Sequence, residues 1–296
     1  MGEAQNSPLA GVPVTMRAVV TFFLPIALSV FVVSFIYPIF SWGISRFAQS
    51  KDALSAFSIA RSLFYIMASP ILVLRQTVVA LVSDVASYRA IRKFALIVIV
   101  ANFLLFLLPG LPWFSPLVFG TIMGVEGTLF KMSRTVYLLF SVAILLNGYS
   151  LFLQGLAILG KRTRHIFYSM LIQIVSLAIL LGFSTALPMQ NGAVAATASY
   201  LGGLLLTALY LEVMVHRQAV AVLARAPAAI MPAAARSVFS VGGTLKFFLP
   251  LVLATFILCM GVPMINATLA KTGRSTLFLS AFDIAWGLGW LIVGMT

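Results

Sequence analysis

The chain consists of eight long apolar segments separated by short polar connections. Each segment is close to the roughly 20 residues that an α-helix needs to cross about 30 Å of hydrocarbon. The segments cover residues 18–43, 53–82, 94–110, 135–159, 166–187, 193–215, 247–270 and 277–296. This pattern predicts an all-α polytopic membrane protein.

Two places depart from the pattern of simple spans. Segment 53–82 is too long for one straight helix, and Pro70 lies in its middle, so we expect a kink or a break there. Residues 110–134 begin with a proline-rich stretch that includes Trp113 and Phe114. Because aromatic residues prefer the membrane–water interface, this stretch predicts an interfacial or partly inserted element.

The composition agrees with a membrane protein and excludes several classes. Hydrophobic residues make up 62% of the chain and charged residues 8%, with a mean hydropathy of +1.11, whereas a soluble domain is nearer half apolar and a quarter charged. Two histidines and one cysteine do not form a Cys/His zinc site. Neither a phosphate-binding loop nor a catalytic constellation is evident, so we expect no enzyme activity and no cofactor, with coupling to H⁺ or Na⁺ left open.

Basic residues predict the orientation. The formal net charge of the chain is +13. Cytoplasmic loops of membrane proteins are rich in Lys and Arg, so this charge indicates the lipid bilayer as a partner and no nucleic acid. With the N-terminus inside, eleven Lys and Arg residues lie in inner connections and six in outer ones. We therefore expect a multi-pass protein of the inner (plasma) membrane with residues 1–17 as a cytoplasmic tail.

The chain contains an internal repeat. Residues 22–69 align without a gap to residues 247–294, with 15 identities in 48 positions, where this composition alone would give about four. Six predicted spans lie within one 225-residue period, so the two copies cross the membrane in the same direction. Four prolines recur in the repeat and are expected to bend the first and seventh helices: Pro25, Pro38, Pro250 and Pro263.

The repeat predicts the domain organisation. Residues 18–215 would form a first six-helix lobe, 216–246 a cytoplasmic connection, and 247–296 the start of a second lobe, with helix seven and part of helix eight. Two complete copies would need about 450 residues. We therefore expect the sequence to represent a protein truncated in its second half.

Several short motifs resemble the multidrug/oligosaccharidyl-lipid/polysaccharide (MOP) flippase superfamily. They are Phe22-Phe23-Leu24-Pro25 with its copy at 247–250, Gly160-Lys161-Arg162-Thr163-Arg164, and Asn191-Gly192-Ala193-Val194-Ala195-Ala196-Thr197. Within it, the chain is most similar to the MATE exporters and, through Leu54-Ser55-Ala56-Phe57 and Ser69-Pro70, to the progressive-ankylosis-like proteins. The resemblance implies two six-helix lobes around a central cavity that alternate between inward-open and outward-open states.

One departure from that resemblance concerns cation coupling. Many MATE exporters carry an acidic residue in the first helix, and residues 18–45 contain none. The resemblance therefore does not extend to proton-coupled drug export through such a residue.

Three charged residues fall well inside predicted spans, where a charge costs at least ~2.5–3.5 kcal/mol. Arg61 lies about 12 Å into the second span, and Asp283 lies at a similar depth in the eighth. We hypothesise that they pair across the lobes as an outer gate; the alternatives are a static pair or two independent snorkelling groups. Arg75 lies beyond Pro70, and we interpret it as snorkelling to the cytoplasmic interface.

Polar residues in other spans are candidates for substrate binding or for packing. Asn147, Ser150 and Gln154 share one face of the fourth span, where they either line a polar path or form interhelical hydrogen bonds. We favour hydrogen-bonded packing for them, and also for Gln173 and Asn102. A stripe of small residues in the sixth span indicates close helix contact: Gly192, Ala196, Ser199 and Gly203.

These features favour a secondary active transporter, an antiporter that exports a small organic solute. The arginines make an organic anion one option for that solute. The first alternative is a flippase for a lipid-linked saccharide. The second is a truncated inactive protein or a membrane scaffold.

Overall fold

The computed structural model describes residues 16–186, 191–216 and 241–293, and within these ranges every regular element is helical. This confirms the predicted all-α class. The α-helices of the described residues are α1 (Met16–Ser34), α2 (Ile36–Ile44), α3 (Ser50–Met67), α4 (Ser69–Leu72), α5 (Leu74–Leu81), α6 (Val85–Leu107), α7 (Gly127–Leu159), α8 (Thr163–Thr185), α9 (Gly192–Leu211), α10 (Val241–Cys259), α11 (Gly261–Ala270) and α12 (Ser275–Val293). The predicted tail 1–17 and connection 216–246 lie largely outside the described residues.

The helices confirm the predicted number of membrane segments. Seven stretches are long and apolar enough to cross a membrane, and the pair Ser50–Met67 and Ser69–Leu81 forms an eighth that is bent by 62°. The bend lies at Pro70, which has no N–H to continue the hydrogen-bond ladder of α3.

Two helices begin earlier than hydropathy predicts. Helix α6 starts at Val85, not at residue 94, and α7 starts at Gly127, not at residue 135. The residues between the observed and predicted starts include basic ones, Arg89, Arg92 and Lys93 in α6 and Lys131 and Arg134 in α7, which lower the mean hydropathy of these turns. The segment before α7 contains a 3₁₀ turn at Leu108–Gly110 and a π-helix at Pro116–Ile122; its interfacial position stays a prediction.

The backbone repeats with the same 225-residue offset as the sequence. Helix α1 is interrupted at Phe35 and α10 at Met260, where equivalent hydrogen bonds join Phe35 N to Val32 O (3.1 Å) and Met260 N to Ile257 O (3.2 Å). Each break lies three residues before a proline, Pro38 or Pro263, whose missing N–H cannot bond to the carbonyl four residues earlier. Pro25 and Pro250, in contrast, lie inside continuous helices.

Helices α8 and α9 pack with very little space between their backbones. A Cβ added at Gly203 would lie 2.9 Å from the carbonyl oxygen of Gln173. The hydroxyl of Thr207 donates to the carbonyl oxygen of Ser169 at 3.1 Å, so a polar contact also crosses this interface. At the start of α9, a Cβ at Gly192 would lie 2.8 Å from the ring of Phe47. The small-residue stripe therefore lies where close helix contact was predicted.

We expect Gly203→Ala to lower the stability of the protein, because its methyl group meets a backbone oxygen that has no rotamer with which to move away. Overpacking of this kind costs about 1–3 kcal/mol. The matched control is Gly182→Ala on α8, where nothing lies within 4 Å of the added Cβ. Thermal unfolding in detergent should show a lower Tm for Gly203→Ala alone; equal Tm values would contradict the close contact.

A capping box begins helix α6. The backbone N–H of Ser87 donates to Oδ1 of Asp84 at 2.7 Å, and the backbone N–H of Asp84 donates to the hydroxyl of Ser87 at 2.9 Å. The backbone N–H of Ser87, and after it the Ser87 side chain, favour the ionised carboxylate and lower the pKa of Asp84 below its usual value of 3.8.

Asp84→Ala should lower the free energy of unfolding by about 1 kcal/mol, because a side-chain acceptor for the first turn is lost. Asp84→Asn is the control, since asparagine also caps helices. With a depressed pKa in the folded state, Asp84 contributes stability above its unfolded pKa and loses that contribution as pH falls through the folded pKa. The difference in Tm between wild type and Asp84→Ala should therefore shrink below about pH 4; a difference independent of pH would contradict this assignment.

Candidate functional site

The structure joins Arg61 of α3 and Asp283 of α12 in a buried ion pair. Nη2 of Arg61 donates to Oδ1 of Asp283, and the two residues are only 5% and 1% exposed. The partners lie 222 positions apart, so the pair links the predicted first lobe to the beginning of the predicted second one. Mutual neutralisation offsets part of the cost of removing each charge from water.

Aromatic rings surround the Arg61 guanidinium. Its Cζ lies 4.7 Å from the ring centre of Tyr37 and 5.5 Å from that of Phe57, within the range of cation–π attraction. The hydroxyl of Tyr37 donates to that of Tyr65 at 3.3 Å, and the Tyr37 ring stacks on Trp290 with centroids 6.1 Å apart. The sequence analysis did not single out these tyrosines or this tryptophan, because aromatic residues in spans are usually packing residues.

The ion pair leaves hydrogen-bonding capacity unused. Nη1 of Arg61 and Oδ2 of Asp283 are buried and have no hydrogen-bond partner within the described part of the chain. On the neighbouring helix α11, Nδ2 of Asn266 donates to the backbone and the hydroxyl oxygens of Ser58 at 3.2 and 3.3 Å, while its Oδ1 has no partner. A partly satisfied polar cluster in a low-dielectric interior favours any further polar group that can reach it.

A second polar cluster lies inside the predicted first lobe. Helices α1, α5, α7, α8 and α9 enclose a cavity of about 240 Å³. Its polar lining includes Ser29, Arg75, Asn147, Gln154, Gln173 and Thr207. Arg75, Asn147 and Gln154 therefore line the same cavity. From the sequence, Arg75 was interpreted as a snorkelling residue and the other two as packing residues.

The structure places Arg75 at this cavity, while its snorkelling to the cytoplasmic interface stays a prediction. Arg75 is half-buried and lines the cavity, and its Nη1 donates to Oε1 of Gln154 at 3.4 Å. Close packing of α5 on α7 directs it there, because a Cβ at Gly155 would lie 2.7 Å from Cβ of Val78 and 3.1 Å from the carbonyl oxygen of Arg75.

Two other polar side chains are buried, as packing predicts, but lack the predicted interhelical hydrogen bonds among the described residues. Neither Nδ2 nor Oδ1 of buried Asn102 has a hydrogen-bond partner in the described ranges, and the same holds for the hydroxyl of Ser150. Ser150 lines the cavity beside Gln154, but its hydroxyl oxygen is buried. Nothing in the structure explains the unpaired amide of Asn102.

A further chain of titratable groups joins α6, α7 and the π-helical turn Glu212–His216 that follows α9. The Tyr149 hydroxyl donates to Oε2 of Glu212, and Nδ1 of His216 lies 2.6 Å from Oε1 of the same carboxylate. Nε2 of His216 is 2.7 Å from the hydroxyl of Tyr88. Both carboxylate oxygens of Glu212 thus have a polar partner. These contacts connect α6, α7 and the turn Glu212–His216 to one another. These contacts are not evident from the sequence, because Tyr88 and Tyr149 lie far from Glu212 and His216 in the chain.

The electrostatics of the two clusters differ. The described residues contain two ion pairs, Arg61 with Asp283 and His216 with Glu212. Arg75 takes part in neither, and no carboxylate lines its cavity. The guanidinium therefore presents an uncompensated positive charge among hydroxyl and amide groups, an arrangement that suits an anion with hydrogen-bond acceptors.

No family model and no curated protein matches this chain. Among solved structures, it is similar to a MOP superfamily transporter from Pyrococcus furiosus with a TM-score of 0.57 and 15% sequence identity. The match covers 94% of this chain and 62% of that one, so the chain spans less than two thirds of the length of this relative. With seven or eight helices able to cross a membrane, the chain has the fold of a MOP superfamily transporter, a multi-pass membrane protein.

Proposed function

We propose that the chain forms part of a secondary active antiporter that exports a small organic anion by alternating access. The observation that carries this proposal is the polar cavity in which Arg75 has no carboxylate partner. A guanidinium offers a planar fork of N–H donors to a carboxylate or a phosphate, and Asn147 and Gln173 add amide groups nearby.

The size of the cavity favours a small solute. Its volume of about 240 Å³ is below the usual range of about 300–1,000 Å³ for sites that enclose drug-sized ligands. This volume is sufficient for a small solute, and we therefore favour export of a solute over the flippase alternative.

The proposed outer gate is the ion pair between Arg61 and Asp283. The pair joins α3 of residues 18–215 to α12 of residues 247–296, the two proposed lobes, so separating the lobes at this point requires the pair to break. The unused hydrogen-bonding atoms of both partners would let a substrate or a coupling H⁺ or Na⁺ compete for the pair. The helix breaks before Pro38 and Pro263 would serve as the hinges of this motion.

A proteoliposome flux assay tests this proposal. Purified full-length chain is reconstituted, and uptake of radiolabelled monocarboxylates, dicarboxylates and phosphate esters is compared with uptake of organic cations and neutral solutes of similar size. We expect at least one class of anion to move faster than in protein-free vesicles and to respond to an imposed H⁺ or Na⁺ gradient. Cation uptake without anion uptake, or flipping of a lipid-linked saccharide instead of solute flux, would contradict the proposal.

A further inference from the structure

A basic cleft lies at one end of the helix bundle, away from both polar clusters described above. It has a volume of about 760 Å³ and lies between the start of α1 and the connection from α7 to α8. We define the basic cleft by its four cationic residues, which are Arg17, Lys161, Arg162 and Arg164.

The charges of the basic cleft have no counterpart within the protein as described. No acidic residue lines the cleft, and none of its four cationic side chains belongs to an ion pair among residues 16–186, 191–216 and 241–293. Like charges held this close repel one another, and a bound anion removes that repulsion. Arginine and lysine together are typical of phosphate recognition, since arginine supplies a fork of donors and lysine a point charge.

The connection from α7 to α8 has a lysine at a backbone position where glycine is usual. Helix α7 ends with Arg162 N bonded to Ala157 O at 2.7 Å and Lys161 N bonded to Ile158 O at 3.0 Å. This end motif needs a left-handed residue, most often glycine, yet Lys161 occupies it with φ of 54°. The substitution of lysine for glycine at this position costs backbone strain but places an ammonium group in the basic cleft.

Thr163 adds a neutral hydroxyl group to the lining of the cleft. Thr163 is buried, lines the cleft and begins α8, so the positive end of this 23-residue helix is directed to the same place as the cationic side chains. Together with the exposed side chains of Arg17, Lys161 and Arg164, these features describe an open surface site for an oxyanion.

The α1 side of the cleft combines Arg17 and Thr21 with an apolar residue. Phe22 lines the cleft, and the adjoining residues of α1, Val20, Phe23 and Leu24, are exposed apolar side chains on a helix able to span the membrane. An occupant with a phosphate group and an attached hydrocarbon chain would satisfy both sides, with its phosphate in the cleft and its chain along α1.

We infer that the basic cleft binds a phosphate group, supplied either by the headgroup of an anionic lipid or by a soluble phosphate compound. The inference does not depend on the proposed transport function, because the cleft shares no residue with the cavity of Arg75 or with the pair between Arg61 and Asp283.

The test compares two double variants of the full chain in nanodiscs of phosphatidylcholine. Lys161→Gln with Arg164→Gln removes two charges from the cleft, and Arg89→Gln with Lys93→Gln removes two exposed charges from the predicted same side of the membrane. Binding of phosphatidylglycerol is measured by native mass spectrometry and binding of inorganic pyrophosphate by calorimetry. We expect the cleft variant to bind about 30-fold more weakly than wild type and the control to bind nearly as wild type does.

The outcomes separate the two sources of phosphate. Cleft-dependent binding of phosphatidylglycerol alone assigns a lipid headgroup, and cleft-dependent binding of pyrophosphate assigns the phosphate itself; both support the inference. No binding by wild type, or an equal loss in both double variants, overturns it. Lys161→Gly adds a check on folding, because it relieves the backbone strain and should leave Tm no lower than wild type while weakening binding.

Discussion

Removal of either member of the buried ion pair should lower the free energy of unfolding by about 3–5 kcal/mol, the largest stability effect we expect in this protein. In Asp283→Ala the Arg61 guanidinium stays buried without a counter-charge, and in Arg61→Ala the Asp283 carboxylate does. Aromatic faces around Arg61 would relieve only part of that cost, because cation–π attraction contributes about 0.5–2 kcal/mol. Thermal unfolding in detergent, followed by circular dichroism, measures the loss.

The double variant Arg61→Met with Asp283→Leu is the control for this prediction. Replacing a buried pair by apolar residues of similar volume is often neutral or stabilising, so the double variant should recover most of the lost stability. A double variant as unstable as the single ones would contradict the assignment of the loss to an unpaired charge.

The same variants separate a gate from a static pair. If the pair is a gate, the apolar double variant folds but transports with altered rate or leaks, whereas the charge swap Arg61→Asp with Asp283→Arg recovers some activity. Normal transport by the apolar double variant would show that the pair is only structural.

Arg75→Gln should reduce uptake of the transported anion by about 10- to 150-fold, the largest functional effect we expect. The reason is that a hydrogen bond to a charged group contributes about 1.5–3 kcal/mol, and Arg75 is the cationic residue that lines the cavity. Arg75→Lys should fall in between, because lysine keeps the charge but lacks the planar fork. Initial rates in proteoliposomes over a range of anion concentrations measure the change.

Two further variants control this prediction. Gln154→Glu places a carboxylate where Gln154 now accepts from Arg75 at 3.4 Å, and we expect it to neutralise the guanidinium and to reduce uptake while Arg75 is still present. Arg89→Gln removes an exposed charge elsewhere and should leave uptake unchanged. Full anion uptake by Arg75→Gln would exclude the cavity as the substrate site.

The sequence was sufficient for those features that depend on chain length and local chemistry. Apolar segment length predicted the number of membrane helices, and Pro70 predicted the 62° bend. The alignment of residues 22–69 with 247–294 anticipated the matching helix breaks at Phe35 and Met260. Each of these follows from properties within a single segment, either its hydrophobicity or the missing N–H of proline.

Tertiary partners were harder to predict, because periodicity gives the face of a helix but not what that face meets. The inward direction of Arg75 depends on how closely α5 approaches α7 at Gly155, which no pattern around residue 75 reveals. The stacking of Tyr37 on Arg61 and Trp290 brings together three helices from both ends of the chain. The pairing of Arg61 with Asp283 could be hypothesised from the sequence only because the apolar segments contain so few charged residues.

The matched helix breaks have a consequence for how the two copies have diverged. Equivalent backbone hydrogen bonds are retained at both breaks, yet the residues aligned with Arg61 and Asp283 are Trp286 and Ser58. The two aligned segments thus share the position of their helix break but differ in their charges: residues 22–69 supply the cation, and residues 247–294 supply the anion from a different position. The contact between the two repeated segments is therefore asymmetric in charge. Exchanging the segments would keep the helix positions but would put the anion where the cation now lies and the cation where the anion lies.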